Sequence, residues 1–288
     1  PYRNFLPSIG RLVWYRPPEP SNHVRIDTGV FEGDEISMYY DPMIAKLITY
    51  SRNRNEAIAE MKRALDRYYI RGVNHNISFL SAVLSNPVFV EGEISTNFIA
   101  EQFPNGFGPE EITGQTLEQI VCTLAVCHRM RVTRSASISD QMPGFGRKIS
   151  SSWVVFVEEA PHPVQVTIAS ETESMVTFAG RQHYVRSHWK LGDRIYEGSV
   201  DNTRVVLQIE RAGIGYKVCT GRHRVLIKVM TPQAAELLRR MPAKAPKDMS
   251  KYLVSPMPGL LVKVPVNEDQ QIEPGETLAV IEAMKMEN

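Results

Sequence analysis

The chain has 288 residues, 43% of them hydrophobic, which is enough to bury more than one core. Lysine and arginine number 33 against 32 aspartate and glutamate, a net charge of +1, so neither a nucleic-acid tail nor a polybasic membrane patch is expected. The three cysteines, Cys122, Cys127 and Cys219, form no CxxC pair and read as reduced thiols, with no disulfide frame and no metal site. No apolar run reaches the ~18 residues of a membrane span, and the start, "PYRNFLPSIG", lacks the charged head and apolar stretch of a signal peptide. The first residue is not methionine, and the chain is expected to be a segment of a longer protein.

Residues 1–104 alternate short strands and helices. "EISMYY" and "MIAKLITY" are rich in β-branched and aromatic residues and are bounded by Gly33, Asp34 and Pro42, so they read as strands. "NEAIAEMKRALDRYY" has helical period: Ala57, Ile58, Met61, Leu65 and Tyr68 form one stripe, with Asn55 as expected N-cap and Glu56 in the first turn. "SFLSAVLS" reads as a second helix, stopped by Asn86-Pro87. "NGFGPEE" at 105–111 is a turn-rich break and the first boundary.

"TLEQIVCTLAVCHRMRV" then predicts a helix over 115–132, opened by a Thr116–Gln119 capping box. Leu117, Ile120, Val121, Leu124 and His128 share a face, and His128 there reads as a helix flank rather than a ligand. After the polar stretch 135–148 the period becomes two. "VQVTIA", "SMVTFA", "HYVRSHW", "RVVLQIE", "YKVCT" and "RVLIKVM" predict successive strands of an antiparallel barrel or sandwich. Thr231-Pro232 opens a further helix, "QAAELLRRM", with Thr231 as N-cap. "PAKAPKDMSK" (242–251) is a Pro/Ala/Lys linker, expected to be extended. The remainder is β in pattern, with Val262, Val264 and Val266 alternating and a turn at Pro274-Gly275. About forty residues without a staple is small for an independent core, so 252–288 reads as an incomplete domain.

The chain ends "VIEAMKMEN". A lysine that must be modified and then carry a cargo has to project from a rigid base, and a tight hairpin supplies one. Ala283 keeps such a turn slim, and Met284 and Met286 offer soft apolar contact to a recognising partner or a cargo ring. The Lys285 amine, once deprotonated, can attack an activated acyl group, and the amide formed is an uncharged flexible arm. By itself, a lysine between two methionines reads as an ordinary surface residue. "SPMPG" at 255–259 and the intervening Pro-Gly turn reverse that reading.

The combination resembles the biotinyl carrier domain of the biotin-dependent acyl-CoA carboxylases. In that family the lysine of AMKM receives biotin at the turn between two symmetric halves of a flattened β-barrel. The resemblance implies covalent biotin on Lys285, flanked by Ala283, Met284 and Met286; a lipoyl domain is the weaker match because its lysine has an acidic context. Separately, "NFLPSIGRLV" and "VRIDTGVFEGDEISMYYDPMIAKLITY" resemble the C-terminal part of the ATP-grasp biotin carboxylase domain. The resemblance implies a catalytic role for Arg25, facing the biotin ureido group, where a permanent planar cation suits developing negative charge. On its residues alone Arg25 is a strand-surface arginine, and Asp41, Lys46 and Tyr39-Tyr40 read as scaffold.

"YYIRGVNHNISFLSAVL" and "GEISTNFIAEQFPNGF" are similar to the α subunits of the branch that acts on propionyl-CoA. The implied organisation is multidomain α+β. It comprises a biotin carboxylase C-terminal part (1–108), a helix plus antiparallel β-barrel docking domain (109–241), the linker (242–251) and the N-terminal half of a carrier domain (252–288). The implied partners are a carboxyltransferase β subunit in a hetero-oligomer, a biotin protein ligase, and bicarbonate and acyl-CoA as substrates, with no nucleic acid and no membrane. ATP and Mg or Mn are cofactors of the parent subunit whose sites are not expected in this chain, and no metal-ligating residue is expected. The implied location is bacterial cytoplasm or mitochondrial matrix. The apolar stripe of helix 115–132 is a candidate for docking on the β subunit; packing against the barrel is the other reading. A 3-methylcrotonyl or broader acyl-CoA specificity stays open, as does a non-catalytic role in carrying biotin and binding the β subunit.

Overall fold

The computed structural model describes residues 1, 5–37, 39–137, 139, 142, 144–242, 249, 252–255, 259–283 and 286–287. The first domain holds strands β1 (Gly10–Arg11), β2 (Trp14–Arg16), β3 (Val24–Thr28), β4 (Glu35–Ile36) and β5 (Ala45–Thr49), then helix α1 (Arg54–Arg67) and strand β6 (Tyr69–Arg71). Short helices α2 (Ile77–Val83), α3 (Pro87–Glu91) and α4 (Phe98–Gln102) follow. The strands pair antiparallel as β1–β4, β2–β6 and β3–β5. Leu12, Tyr15, Ile36, Tyr68, Ile70 and Val73 form the core between them. Gly72 follows β6 at φ +106°, and a Cβ there would lie 2.0 Å from the Arg11 carbonyl oxygen, so this crossing admits only glycine.

Two helix starts differ from expectation. Asn53, not Asn55, caps α1: it is extended, and its side chain accepts from the Glu56 N–H at 2.9 Å, whereas Asn55 is already helical. Asn86-Pro87 does more than stop α2. The Asn86 side chain caps α3, whose first residue is Pro87, because a proline lacks only the N–H that a first turn leaves unpaired.

Helix α5 (Gly114–Ala136) is followed by eight strands: β7 (Ser152–Val157), β8 (Ala160–Ile168), β9 (Glu173–Phe178), β10 (Arg181–Ser187), β11 (Ile195–Val200), β12 (Thr203–Ala212), β13 (Gly215–Thr220) and β14 (His223–Met230). Each pairs antiparallel with the next, and β14 pairs with β7 to close a barrel without a free edge. Two of these strands, β7 and β11, are not among the six that alternation predicts. In β7 the buried run Trp153 to Val157 hides the alternation. Trp153, Val155 and Val157 face the barrel core, while Val154 and Phe156 lie under helix α6 (Pro232–Arg239) through Ala235. Thr231 caps α6 as expected, accepting from the Ala234 N–H at 3.3 Å.

Helix α5 is longer than predicted and has Thr113 as its N-cap, whose side chain makes no capping bond; Thr116 lies inside the helix, so the expected capping box does not form. Ile120 to His128 are all buried, round the full circumference of the helix. The helix touches β7, β8, β9, β10, β11 and β14 and shares one core with the barrel wall. An all-round apolar helix belongs in an interior. Of the two readings of the stripe, docking on a β subunit or packing against the barrel, the structure shows the second: Ile120, Val121, Leu124 and His128 are buried.

The last described element is a three-stranded antiparallel sheet, β15 (Leu260–Lys263), β16 (Val280–Ala283) and β17 (Met286–Glu287). Val264 and Val266 lie beyond the strand that alternation extended to them. Among the described residues no helix is long and apolar enough to cross a membrane.

Candidate functional site

Strand alternation decides where Arg25 points. Val24 is buried and Ile26 packs on the first core, so Arg25 and Asp27 project from the opposite side of β3. Arg25 lies across from Ile48 and Asp27 from Lys46 on β5. Arg25 Nη2 donates to Asp27 Oδ2 at 3.1 Å, with the two side chains 72% and 51% exposed. The open face is thus lined by a cation, a carboxylate and a second cation, Lys46. Tyr39 and Tyr40, expected as scaffold, are 61% and 74% exposed. Asp41 and Lys46 are exposed as well. A concavity of about 1000 Å³ beside α2, lined by Pro42, Met43, Ile44, Tyr68, Leu80 and Phe89 among others, does not include Arg25.

At the other end of the chain, β16 and β17 pair with Ala283 directly opposite Met286. Met284 and Lys285 fall between these paired residues and lie outside the described residues, as do 256–258 of the SPMPG stretch. The turn expected at Pro274-Gly275 is present: Glu276 N–H donates to the Glu273 carbonyl at 3.1 Å and Gly275 has φ +94°. Leu260 and Leu261 of β15 are 58% and 57% exposed, and Val280 and Ile281 of β16 are half-buried.

His128, Cys122 and Cys127 are placed for packing. His128 Nδ1 lies 2.9 Å from the Tyr216 hydroxyl, its ring is edge-on to Trp153, and burial holds its pKa down to about 4. It is a neutral core histidine inside the barrel, not a ligand. Burial pushes the Cys122 thiol up to about 12 and the Cys127 thiol up as well, so neither is a ready nucleophile.

Sequence reasoning did not single out Asp27, nor the residues that join the first domain to the barrel. These include Asp66, Arg71 and Gln208. Gln208 Nε2 donates to the carbonyls of Asp66 and Tyr68, and Oε1 accepts from Arg71 Nη2. The only sequence signal is a glutamine inside an apolar strand, "VVLQIE".

Three family models match the chain: the biotin carboxylase C-terminal domain over residues 1–101, the propionyl-coenzyme A carboxylase BT domain over 121–244, and a biotin-requiring enzyme domain over 251–288. The chain is 43% identical over 309 residues to a propionyl-CoA carboxylase alpha chain of Ruegeria pomeroyi, covering 100% of this chain and 45% of that protein. It is 38% identical over 307 residues to the mitochondrial propionyl-CoA carboxylase alpha chain of Mus musculus, covering 100% of this chain and 40% of that protein. A methylcrotonoyl-CoA carboxylase subunit alpha of Dictyostelium discoideum is 28% identical over 311 residues, with 100% and 42% covered. The chain therefore spans less than half the length of these relatives.

Proposed function

We propose that this chain is part of the α subunit of a biotin-dependent carboxylase, that it carries biotin on Lys285 and that it supplies Arg25 to the carboxylation of that biotin, a reading the three family models and the propionyl-CoA carboxylase relatives support. The observation that carries the reading is the hairpin pairing of Ala283 with Met286 around the "AMKM" stretch. That pairing leaves only Met284 and Lys285 between the two strands, and a short connection on a strand pair is the kind of base that an attached group such as biotin requires. By residue type, an alanine at 283 and methionines at 284 and 286 are the small and soft apolar side chains that a ligase and the ring itself could contact. When bound, biotin supplies a ureido nitrogen that accepts a carboxyl group at one site and releases it at another.

Arg25 faces outward from a rigid strand pair, and its bond to Asp27 engages one guanidinium nitrogen, Nη2. The other N–H groups can meet negative charge developing on a ureido oxygen. ATP, Mg or Mn, and bicarbonate are used by the parent subunit, with the carboxyl group derived from bicarbonate. The acceptor in this reading is propionyl-CoA on a carboxyltransferase β subunit, giving methylmalonyl-CoA. The BT-domain match and the higher identity to propionyl than to methylcrotonoyl relatives favour it. Bacterial and mitochondrial relatives support a bacterial cytoplasm or mitochondrial matrix location.

The test is a holoenzyme of full-length α subunit and β subunit. Lys285→Ala is expected to abolish avidin reactivity and acyl-CoA carboxylation together, with the parent preferring propionyl-CoA over methylcrotonyl-CoA. Retained avidin labelling would sink the lysine assignment, and a reversed preference would move the chain to the methylcrotonyl branch.

A further inference from the structure

Strand β12 is buried on both faces. Val205, Leu207 and Ile209 point into the barrel core, as alternation requires. Val206 and Gln208 lie on the outer face, where a barrel residue normally meets water, yet they are only 7% and 5% exposed. Helix α1 of the first domain covers them.

The contact is chemically matched. The C-terminus of a helix leaves its last carbonyls without intrahelical partners. Gln208 Nε2 donates to two carbonyls at that end of α1, Asp66 at 2.9 Å and Tyr68 at 3.0 Å. Its Oε1 accepts from Arg71 Nη2 at 3.0 Å. The amide thus directs both its donors and its acceptor across the boundary between the two domains. On one flank Arg67 makes a bidentate pair with Glu197, at 2.7 and 2.8 Å. On the other, Arg71 pairs with Glu210, the next outward residue of β12. A chance juxtaposition leaves such groups to water. Here a buried amide would stand unsatisfied if the domains packed in any other register.

We propose that the outer face of β12 is the surface that fixes the barrel to the first domain, and that acyl-CoA carboxylation depends on this seam whereas carboxylation of free biotin does not. The proposal rests on the α-subunit reading above. A tethered carrier must serve two sites, and its productive encounter with each depends on tether length and the separation of the sites. Residues 242–251 span at most ~35 Å when fully extended. The orientation of the first domain on the barrel therefore sets whether both sites fall within reach.

Gln208→Leu in the holoenzyme tests this. It keeps side-chain bulk and removes the bonds of Gln208 to the Asp66 and Tyr68 carbonyls and to Arg71, which keeps Glu210. Acyl-CoA carboxylation is expected to fall roughly tenfold or more, while ATP-dependent carboxylation of free biotin and avidin labelling stay within about twofold of the parent. Equal loss of both activities, or an unchanged ratio in a folded variant, overturns the proposal. If Gln208→Leu shows no cooperative unfolding transition, the same ratio in Arg67→Met decides, since Glu197 there keeps Arg204 at 3.0 Å. A parent holoenzyme that carboxylates no acyl-CoA would count against the α-subunit reading instead.

Discussion

An exposed arginine–carboxylate pair contributes about 0–1 kcal/mol to stability, and the Arg25–Asp27 pair is of that kind. Its position on an open strand face suits a role in presenting charge rather than in holding the fold. Arg25→Ala in the full-length subunit is expected to slow biotin carboxylation by about a hundredfold or more, the scale of a lost oxyanion donor. Biotin attachment and the thermal midpoint should stay near the parent's. An unchanged carboxylation rate would remove Arg25 from the mechanism. At this scale the sequence was informative only through resemblance. The residues around Arg25 read as a strand surface, and its exposure agrees with that plain reading as well as with the functional one. His128 shows the reverse: its helical spacing suggested a flank, and only the Tyr216 and Trp153 side chains from the barrel wall make it a core residue.

Helix α5 is the element whose pattern is easiest to misread. Its apolar residues include a stripe, but the rest of the middle segment is also uncharged, with Cys122, Thr123, Ala125, Val126 and Cys127 completing the circumference. Small and weakly polar side chains look neutral in a sequence and are compatible with either surface or interior. Closure of the barrel around them decides the matter. Leu124, fully buried in this core, tests it: Leu124→Ala is expected to cost roughly 2–5 kcal/mol, read by chemical denaturation of the full chain. A cost below about 0.5 kcal/mol, the level of an ordinary surface change, would place the helix outside the core. Strand β7 teaches the same lesson, since α6 buries its second face and erases the period of two.

Across the whole molecule the seam also carries a titratable group. Asp66 Oδ1 accepts the Gly221 N–H at 2.7 Å, and burial raises its pKa from 3.8 to about 6 against the lowering effects of that bond, Lys62 and Arg67. A raised carboxyl pKa means that the folded state disfavours the charged form. Its contribution is most favourable below the unfolded pKa of 3.8 and is lost as pH rises through about 6. His75 and His128, held down to about 3 and about 4 by burial, act in the opposite sense: they support the fold above 6.5, and that support is lost as pH falls. Comparing the parent with Asp66→Asn isolates the carboxyl. The amide keeps an acceptor for Gly221 and no charge. It should be more stable than the parent by on the order of 2 kcal/mol near pH 8, with the gap narrowing through pH 6 and closing near pH 4. A gap independent of pH would mean that Asp66 titrates normally.

The sequence by itself determined the elements with strong periods and an antiparallel β class, barrel or sandwich, for the middle of the chain, and it offered, through "AMKM" and "SPMPG", Lys285 as the candidate biotin lysine. These are local signals: a spacing, a cap, a turn or a motif stays legible because the residues that produce it are neighbours in the chain. The tertiary structure decided that α5 is core, that β7 and β11 complete the barrel, and that Gln208 is the centre of a domain seam. Each depends on a second surface arriving from far along the chain. Gln208 meets Asp66 and Tyr68 across separations of 142 and 140 residues, and no pattern within β12 announces what will cover it.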